Sequence, residues 1–411
     1  MRIRLIMCAC AAAGWLAATA TWAGDWPQWR GPNRDGLSTE TGLLKEWPPG
    51  GPKLLWKATG LGEGFSGPAV VGDRLYSMGN AGGQEWVFCL DLIQGGKPVW
   101  GTPIGPVRHP GSGYPGPRAT PTVDGDRLYA LGINGDLVCL DARTGKPAWR
   151  VDLVKDLGGS IPQWGYSESV LVDGPWVLCT PGGPRATVAA LNKSNGRLIW
   201  GAPVGDPAAY SSIIKANLAQ VPQYVTLTAK GVIGVAGKDG TPLWRYDRPA
   251  NGTANIPTCI VFGQTIFAAS GYGTGGGAVW ITRTPRGFDV KELYFTKDMQ
   301  NHHGGVIRVG DYLYGSSNPG VLTCINYRTG ETVWKEREPG KCSILYADGM
   351  LYCRDERGPI TLVEATPDGY RRRGRFDQPH RSGREAWPHP VIAGGRLFIR
   401  DQDVLLCYQV K

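Results

Sequence analysis

The chain has 411 residues, 61 of them Gly, and a formal net charge of +9. A length of this size ordinarily means two or three domains, but glycine at about twice ordinary usage points to one body with many tight turns. The positive excess is spread out, and its densest cluster, Arg371, Arg372 and Arg373 with Arg375, reads as a solvated strand and turn. No nucleic-acid partner is expected, and no apolar run after residue 23 is long enough to span a bilayer.

Residues 1–23 open the chain with Arg2 and Arg4, an apolar middle, and Thr21 and Ala23 at the two positions a signal peptidase reads. They are expected to be a cleaved secretory signal. The mature chain would begin at Gly24, in the periplasm or outside the cell, with at most a peripheral membrane association. Residues 24–51 read as an N-terminal extension.

From residue 52 to 411 the sequence repeats. Trp56, Trp100, Trp149, Trp200, Trp244 and Trp334 recur at intervals of 44, 49, 51, 44 and 90 residues. A fixed period of about 45 residues means that each unit is one supersecondary piece. In the clearest copy, 119–149, short apolar runs are separated by Asp-Gly, Asn-Gly and Thr-Gly steps, the strongest short-range hairpin signals. Four antiparallel strands in forty-odd residues make a propeller blade.

The first four blades end at Trp100, Trp149, Trp200 and Trp244. A fifth is expected from Ile256 to about Tyr294-Phe295, with aromatics in place of Trp, and a sixth ends at Trp334. The seventh closes near Phe376, and the last supplies only three strands before Lys411. Its missing strand is available around Trp56, and joining the termini in one blade removes open sheet edges. The expected fold is all-β, an eight-bladed propeller whose last blade is closed by the N-terminal strand. A seven-bladed ring, with the fifth unit an insertion, is the alternative.

Cys89, Cys139, Cys324 and Cys407 hold equivalent strand positions in different blades, too far apart to bond, and read as small core residues. Cys342 and Cys353 flank the Asp348-Gly349 turn at nearly cross-strand spacing and are the one candidate disulfide.

In a propeller, the loops that lead into the innermost strands converge on one mouth, where a ligand site is expected. The residues at those positions include Phe65, Arg118, Trp164, Tyr166, Glu168, Tyr210, Asn255, His302, His303, Lys341, Trp387 and His389. Three of the five histidines fall among them. Neutral imidazoles with Glu168 are a conceivable transition-metal or acid–base set, although His302 and His303 should face opposite sides of an extended strand. Trp164, Tyr166 and Trp387 offer stacking surface, and Arg118 offers a fork for a carboxylate. The glycine-rich stretch 271–277 reads as a flexible loop.

The segment 135–149, Gly-x-Leu-x-x-Leu-Asp followed by Thr-Gly-Lys and Trp, resembles the repeat of quinoprotein propellers. It is also similar to the superfamily relative BamB and to exported PQQ-binding-like propellers that open with Trp-Pro-Gln-Trp-Arg-Gly-Pro-Asn, as at Trp26–Asn33 here. The resemblance implies that each Trp docks between blades. It does not import the cofactor: the mature chain lacks the adjacent Cys-Cys clamp of many PQQ alcohol dehydrogenases, and the Asp, Glu and Asn of their base and calcium site are not identifiable. Three functions follow. The favoured one is a monomeric, non-catalytic binding or scaffolding module with a protein partner, in cell-envelope protein assembly. The second is an oxidoreductase with PQQ and calcium in the funnel, and the third is a carbohydrate-binding propeller.

Overall fold

The computed structural model describes residues 24–109 and 113–411, so the expected signal segment lies outside the described residues. The described chain is all strand and turn, arranged as eight successive antiparallel sheets. Blade one uses Ala69–Val71, Arg74–Ala81, Gln84–Asp91 and Lys97–Pro106, and the next five blades repeat that order. The fifth keeps all four strands, ending in the long pair Gly275–Thr284 and Gly287–Thr296, which excludes the seven-bladed alternative. In blade eight, Leu54–Ala58 pairs antiparallel with Val404–Gln409, so the N-terminal strand closes the ring.

Each blade is fastened to the next by an aromatic side chain. Trp100 stands opposite Cys89, Trp149 opposite Cys139, Trp334 opposite Cys324 and Trp56 opposite Cys407, always at a bulge in the outer strand pair. Trp200 and Trp244 face Ala190 and Gly234 in the same register, and Tyr294 faces Ala278, as the aromatic expected in place of Trp. The four cysteines are buried, and burial pushes their thiols up to about 11 or 12, so they act as small core residues.

The rings of Trp56, Trp100, Trp149, Trp200 and Tyr294 lie on a turn glycine of the following blade. A Cβ on Gly145 would lie 2.6 Å from Trp100, on Gly240 2.4 Å from Trp200 and on Gly330 2.2 Å from Tyr294. The indole N–H groups of Trp100, Trp149 and Trp334 donate to the neighbouring turns, at the carbonyls of Ala142 (3.2 Å), Lys193 (2.9 Å) and Thr366 (2.9 Å). The turn also needs a left-handed residue, with φ 72° at Gly145.

The N-terminal extension is part of this ring. Leu37–Ser38 adds a fifth, parallel strand to blade seven, beside Cys342–Ala347. Residues 26–36 cross the central channel. Trp26 exchanges two 2.8 Å backbone bonds with Val70 in blade one, and the Val123 amide of blade two donates to the Pro27 carbonyl. Arg34 donates to the carbonyls of Ser169 (2.5 Å) and Val170 (3.1 Å) in blade three. Trp29 reaches Thr258 at the entry to blade five (2.9 Å), and Arg30 reaches the Val306 carbonyl in blade six (2.5 Å).

Cys342 pairs with Asp355, and Cys353 with Ile344, so the two cysteines are diagonal neighbours rather than cross-strand partners. Both are buried and stand as free thiols in this structure. The hairpin register is two residues away from the one that bridge requires. The Cys353 thiol and burial together push Cys342 well above its ordinary range. The basic cluster is largely neutralised, with Arg371 and Arg373 on Glu364 and Arg372 on Glu338.

The seam predicts a graded response. Gly145→Ala combines a left-handed backbone with a clash on Trp100 and should cost about 3 kcal/mol. Gly125→Ala, also left-handed at φ 60° but with open space around it, should cost about 1 kcal/mol. Equal denaturant midpoints for the two variants would contradict the seam.

Candidate functional site

The loops that enter the inner strands form a funnel around a cavity of about 320 Å³. Its walls carry Phe65, Arg118, Trp164, Tyr210, His302, His303, Lys341, Trp387 and His389, which the position in the repeat singles out. Trp387 is the hub of one wall. Its ring centroid lies 5.0 Å from Phe65, 4.8 Å from Tyr114 and 5.3 Å from His303, while its indole N–H donates to Glu356 at 3.1 Å. Glu356 also pairs with Lys341 at 3.0 Å. Trp164 and Tyr210 face each other at 5.7 Å on another wall. Trp29 of the channel-crossing segment closes the floor, 4.6 Å from His389, so the funnel is blind.

Two expected residues turn away. Tyr166 is 1% exposed and donates its hydroxyl to the Pro181 carbonyl at 2.8 Å. Glu168 is also buried, accepting hydrogen bonds from the Thr180 amide and, at 2.8 Å, from the Thr180 hydroxyl. Gly165, left-handed at φ 81°, breaks the strand alternation, so Trp164 and Ser167 face the funnel while Tyr166 and Glu168 face the core. Burial drives the Glu168 carboxyl up to about 7.

The histidine pair departs from expectation in the other direction, because both rings line the funnel. Residues 302–305 bulge between the paired positions Asn301–Ser317 and Val306–Gly315, which cancels the alternation. The two Nδ1 atoms are 3.1 Å apart, and His302 Nε2 is 2.9 Å from the Tyr272 hydroxyl. His389 Nε2 donates to the His303 carbonyl at 3.0 Å. Burial pushes His302 down to about 4, His389 down to about 3, and His303 well below its ordinary range, so all three are neutral at pH 7. Arg118 is not a free fork. It donates to the carbonyls of Trp164 and Tyr114, at 2.6 Å each, and thereby pins the two wall loops.

Trp29, Tyr114 and Tyr272 were not expected in the site. Trp29 precedes the repeat, and Tyr114 and Tyr272 sit in glycine-rich stretches. A lone aromatic inside such a loop is the available signal.

A family model described as outer membrane protein assembly factor BamB matches residues 83–336. The chain belongs to this family. The BamB of Yersinia pestis is 24% identical over 318 residues, 74% of this chain and 76% of that protein. A quinoprotein alcohol dehydrogenase of Pseudomonas putida, PedH, is 30% identical over 144 residues, 34% of this chain and 23% of its own length. The solved BamB of Moraxella catarrhalis superimposes with a TM-score of 0.61 at 15% identity, covering 87% of this chain and 99% of that one. The quinohemoprotein alcohol dehydrogenase of Comamonas testosteroni gives 0.66 at 11% identity, covering 95% and 81%. At these identities the solved structures share the fold.

A calcium–quinone centre does not fit the funnel of this BamB-family chain. Calcium takes several oxygen ligands, with carboxylates prominent among them, and no carboxylate lines the cavity among the described residues. Nor do the described residues hold any group of three or more His, Cys, Asp or Glu arranged for a metal ion. Glu168, the one carboxylate in the expected set, is committed to Thr180. Calorimetric titration with PQQ and calcium should give no saturable binding, and a stoichiometric complex would contradict the assignment.

The histidines give a pH prediction. His302 takes up a proton at about 4 in the folded chain but near its ordinary 6.5 when unfolded. Between these values the unfolded state binds more protons, so this term removes stability as pH falls from 6.5 toward 4. Thermal midpoints over that range should fall more steeply for the parent than for His302→Gln. Parallel slopes would contradict it.

Proposed function

We propose that this chain is a non-catalytic binding propeller of the cell envelope that acts in outer-membrane protein assembly, with the aromatic funnel as its recognition face. The BamB family match over 83–336 supports the setting, since outer membrane protein assembly is what that family is named for. The observation that carries the reading is the composition of the funnel. Seven aromatic rings line it, from Trp29, Phe65, Tyr114, Trp164, Tyr210, Tyr272 and Trp387, with neutral histidines between them. Such a wall binds by stacking and apolar contact, the way buried aromatic anchors dominate binding energy in pockets. Among the described residues no carboxylate lines the cavity.

The test is genetic and biochemical together. Deleting the gene should lower the abundance of outer-membrane β-barrel proteins, and the wild-type chain should restore it. A Trp164→Ala/Trp387→Ala variant that keeps the parental thermal midpoint should not. Unchanged barrel abundance after deletion, or full rescue by that variant, would overturn the proposal.

A further inference from the structure

The channel-crossing segment begins at one more seam, the one where the chain ends meet. Gly24 is packed between the turn of blade eight and the side chain of Glu40. A Cβ on Gly24 would lie 3.0 Å from the Gly394 amide nitrogen and 3.1 Å from Glu40 Oε1. The next residue, Asp25, accepts the Gly72 amide in the turn of blade one at 2.9 Å. Residues 24 and 25 thus touch both blade eight and blade one.

The Glu40 carboxylate is only half used. Its Oε2 accepts the Gly395 amide at 2.6 Å. Its Oε1 is buried and has no hydrogen-bond partner among the described residues. A buried carboxylate oxygen without a donor is costly, and the group lying against it is Gly24. The nitrogen and the Cβ position of one residue are about 2.5 Å apart, so the Gly24 nitrogen is within about 5.5 Å of Oε1. Beside Gly24 a cavity of about 160 Å³ separates the two turns, and its charged groups are Asp25, Asp73 and Arg396. Together with Glu40 they leave an excess of negative charge around the Gly24 nitrogen.

Gly24 is also the residue at which the sequence places the end of a secretory signal. Hydrolysis of the Ala23–Gly24 peptide bond consumes one water. The new carboxylate departs on Ala23, and the new amine stays on Gly24 and takes up a proton, since its ordinary pKa is about 8. A neutral amide with one N–H becomes a cation with three.

We propose that Glu40 is the receptor for the α-ammonium group that this cleavage creates, so that processing itself locks residues 24–36 into the ring. The inference rests on the expected cleavage and not on the assembly reading. Before the cut, Gly24 offers Glu40 no charge, and the segment that floors the funnel with Trp29 lacks its first tie. After the cut, the tie closes the seam between blades eight and one.

Intact mass of the chain exported by its own host locates the cut. A chain beginning at Gly24 is expected, and a start at any other residue would overturn the proposal. On that chain, the pH dependence of acylation at Gly24, read by peptide mass spectrometry, gives the titration of the amine. An opposite charge at this range favours the protonated form, so the amine should titrate about one pH unit above 8. In Glu40→Gln, whose amide oxygen can still accept from Gly395, it should return to about 8, and acylation at pH 7 should become about tenfold faster. A chain begun at Ala23 moves the ammonium out of the seam. Glu40→Gln should lower the thermal midpoint of the chain begun at Gly24 and leave that of the longer chain unchanged. An ordinary amine titration in the parent would overturn the proposal. So would an equal loss of midpoint in both chains, because Glu40 would then act through Gly395 alone.

Discussion

Five of the seams between blades rest on a flat aromatic ring lying on a bare α-carbon. The outer strand of each regular blade bulges at its aromatic residue, the third strand supplies a small partner such as Cys89 or Ala190, and the rings of Trp56, Trp100, Trp149, Trp200 and Tyr294 pass over to the next blade's turn glycine. The contact works only if both sides are kept. Without the bulge the ring does not reach the neighbouring turn, and a Cβ on the glycine meets the ring. Repeated around the axis, the seam fixes the angle between blades and brings their entry loops to one mouth. Blade seven varies the theme, with Phe376 lying over Gly51 in the loop before the closing strand.

Where the chain ends meet, arginines take over part of this task. Arg400 is fully buried and donates to the Ser66 carbonyl at 3.1 Å and the Ser77 hydroxyl at 2.6 Å, tying blade eight to blade one. Arg354 reaches the Pro388 carbonyl at 3.2 Å and so ties blade seven to blade eight. The channel uses the same chemistry. Inner strands expose backbone groups to the axis that a partner must satisfy, and Arg30 and Arg34 supply donors to the carbonyls of blades six and three. One short segment thus seals the channel and floors the funnel with Trp29.

The architecture was legible because its signals are local. Asp-Gly and Thr-Gly turns and the spaced tryptophans gave eight blades, and the surplus strand at Trp56 found its place at the other terminus. The funnel was legible at the level of position, since the fold dictates what precedes an inner strand. Its facing was less so, because alternation holds only in regular strands: left-handed Gly165 turned Tyr166 and Glu168 inward, and the bulge at 302–305 turned both histidines into the funnel. The role of residues 26–36 was illegible, since nothing in that segment repeats and all of its partners are distant in sequence. The register that separates Cys342 from Cys353 was hidden for a related reason, as a turn sequence does not fix which residues pair across it.

The central claim is that the segment crossing the channel is part of the ring rather than a loose leader. Native-state hydrogen exchange tests it most directly at the amides of Trp26 and Gly36, which donate to Val70 and Arg30 carbonyls. Both should exchange as slowly as amides in the inner strands, through opening of the whole ring. Exchange at the rate of an exposed tail would contradict the account, because the funnel would then have no floor.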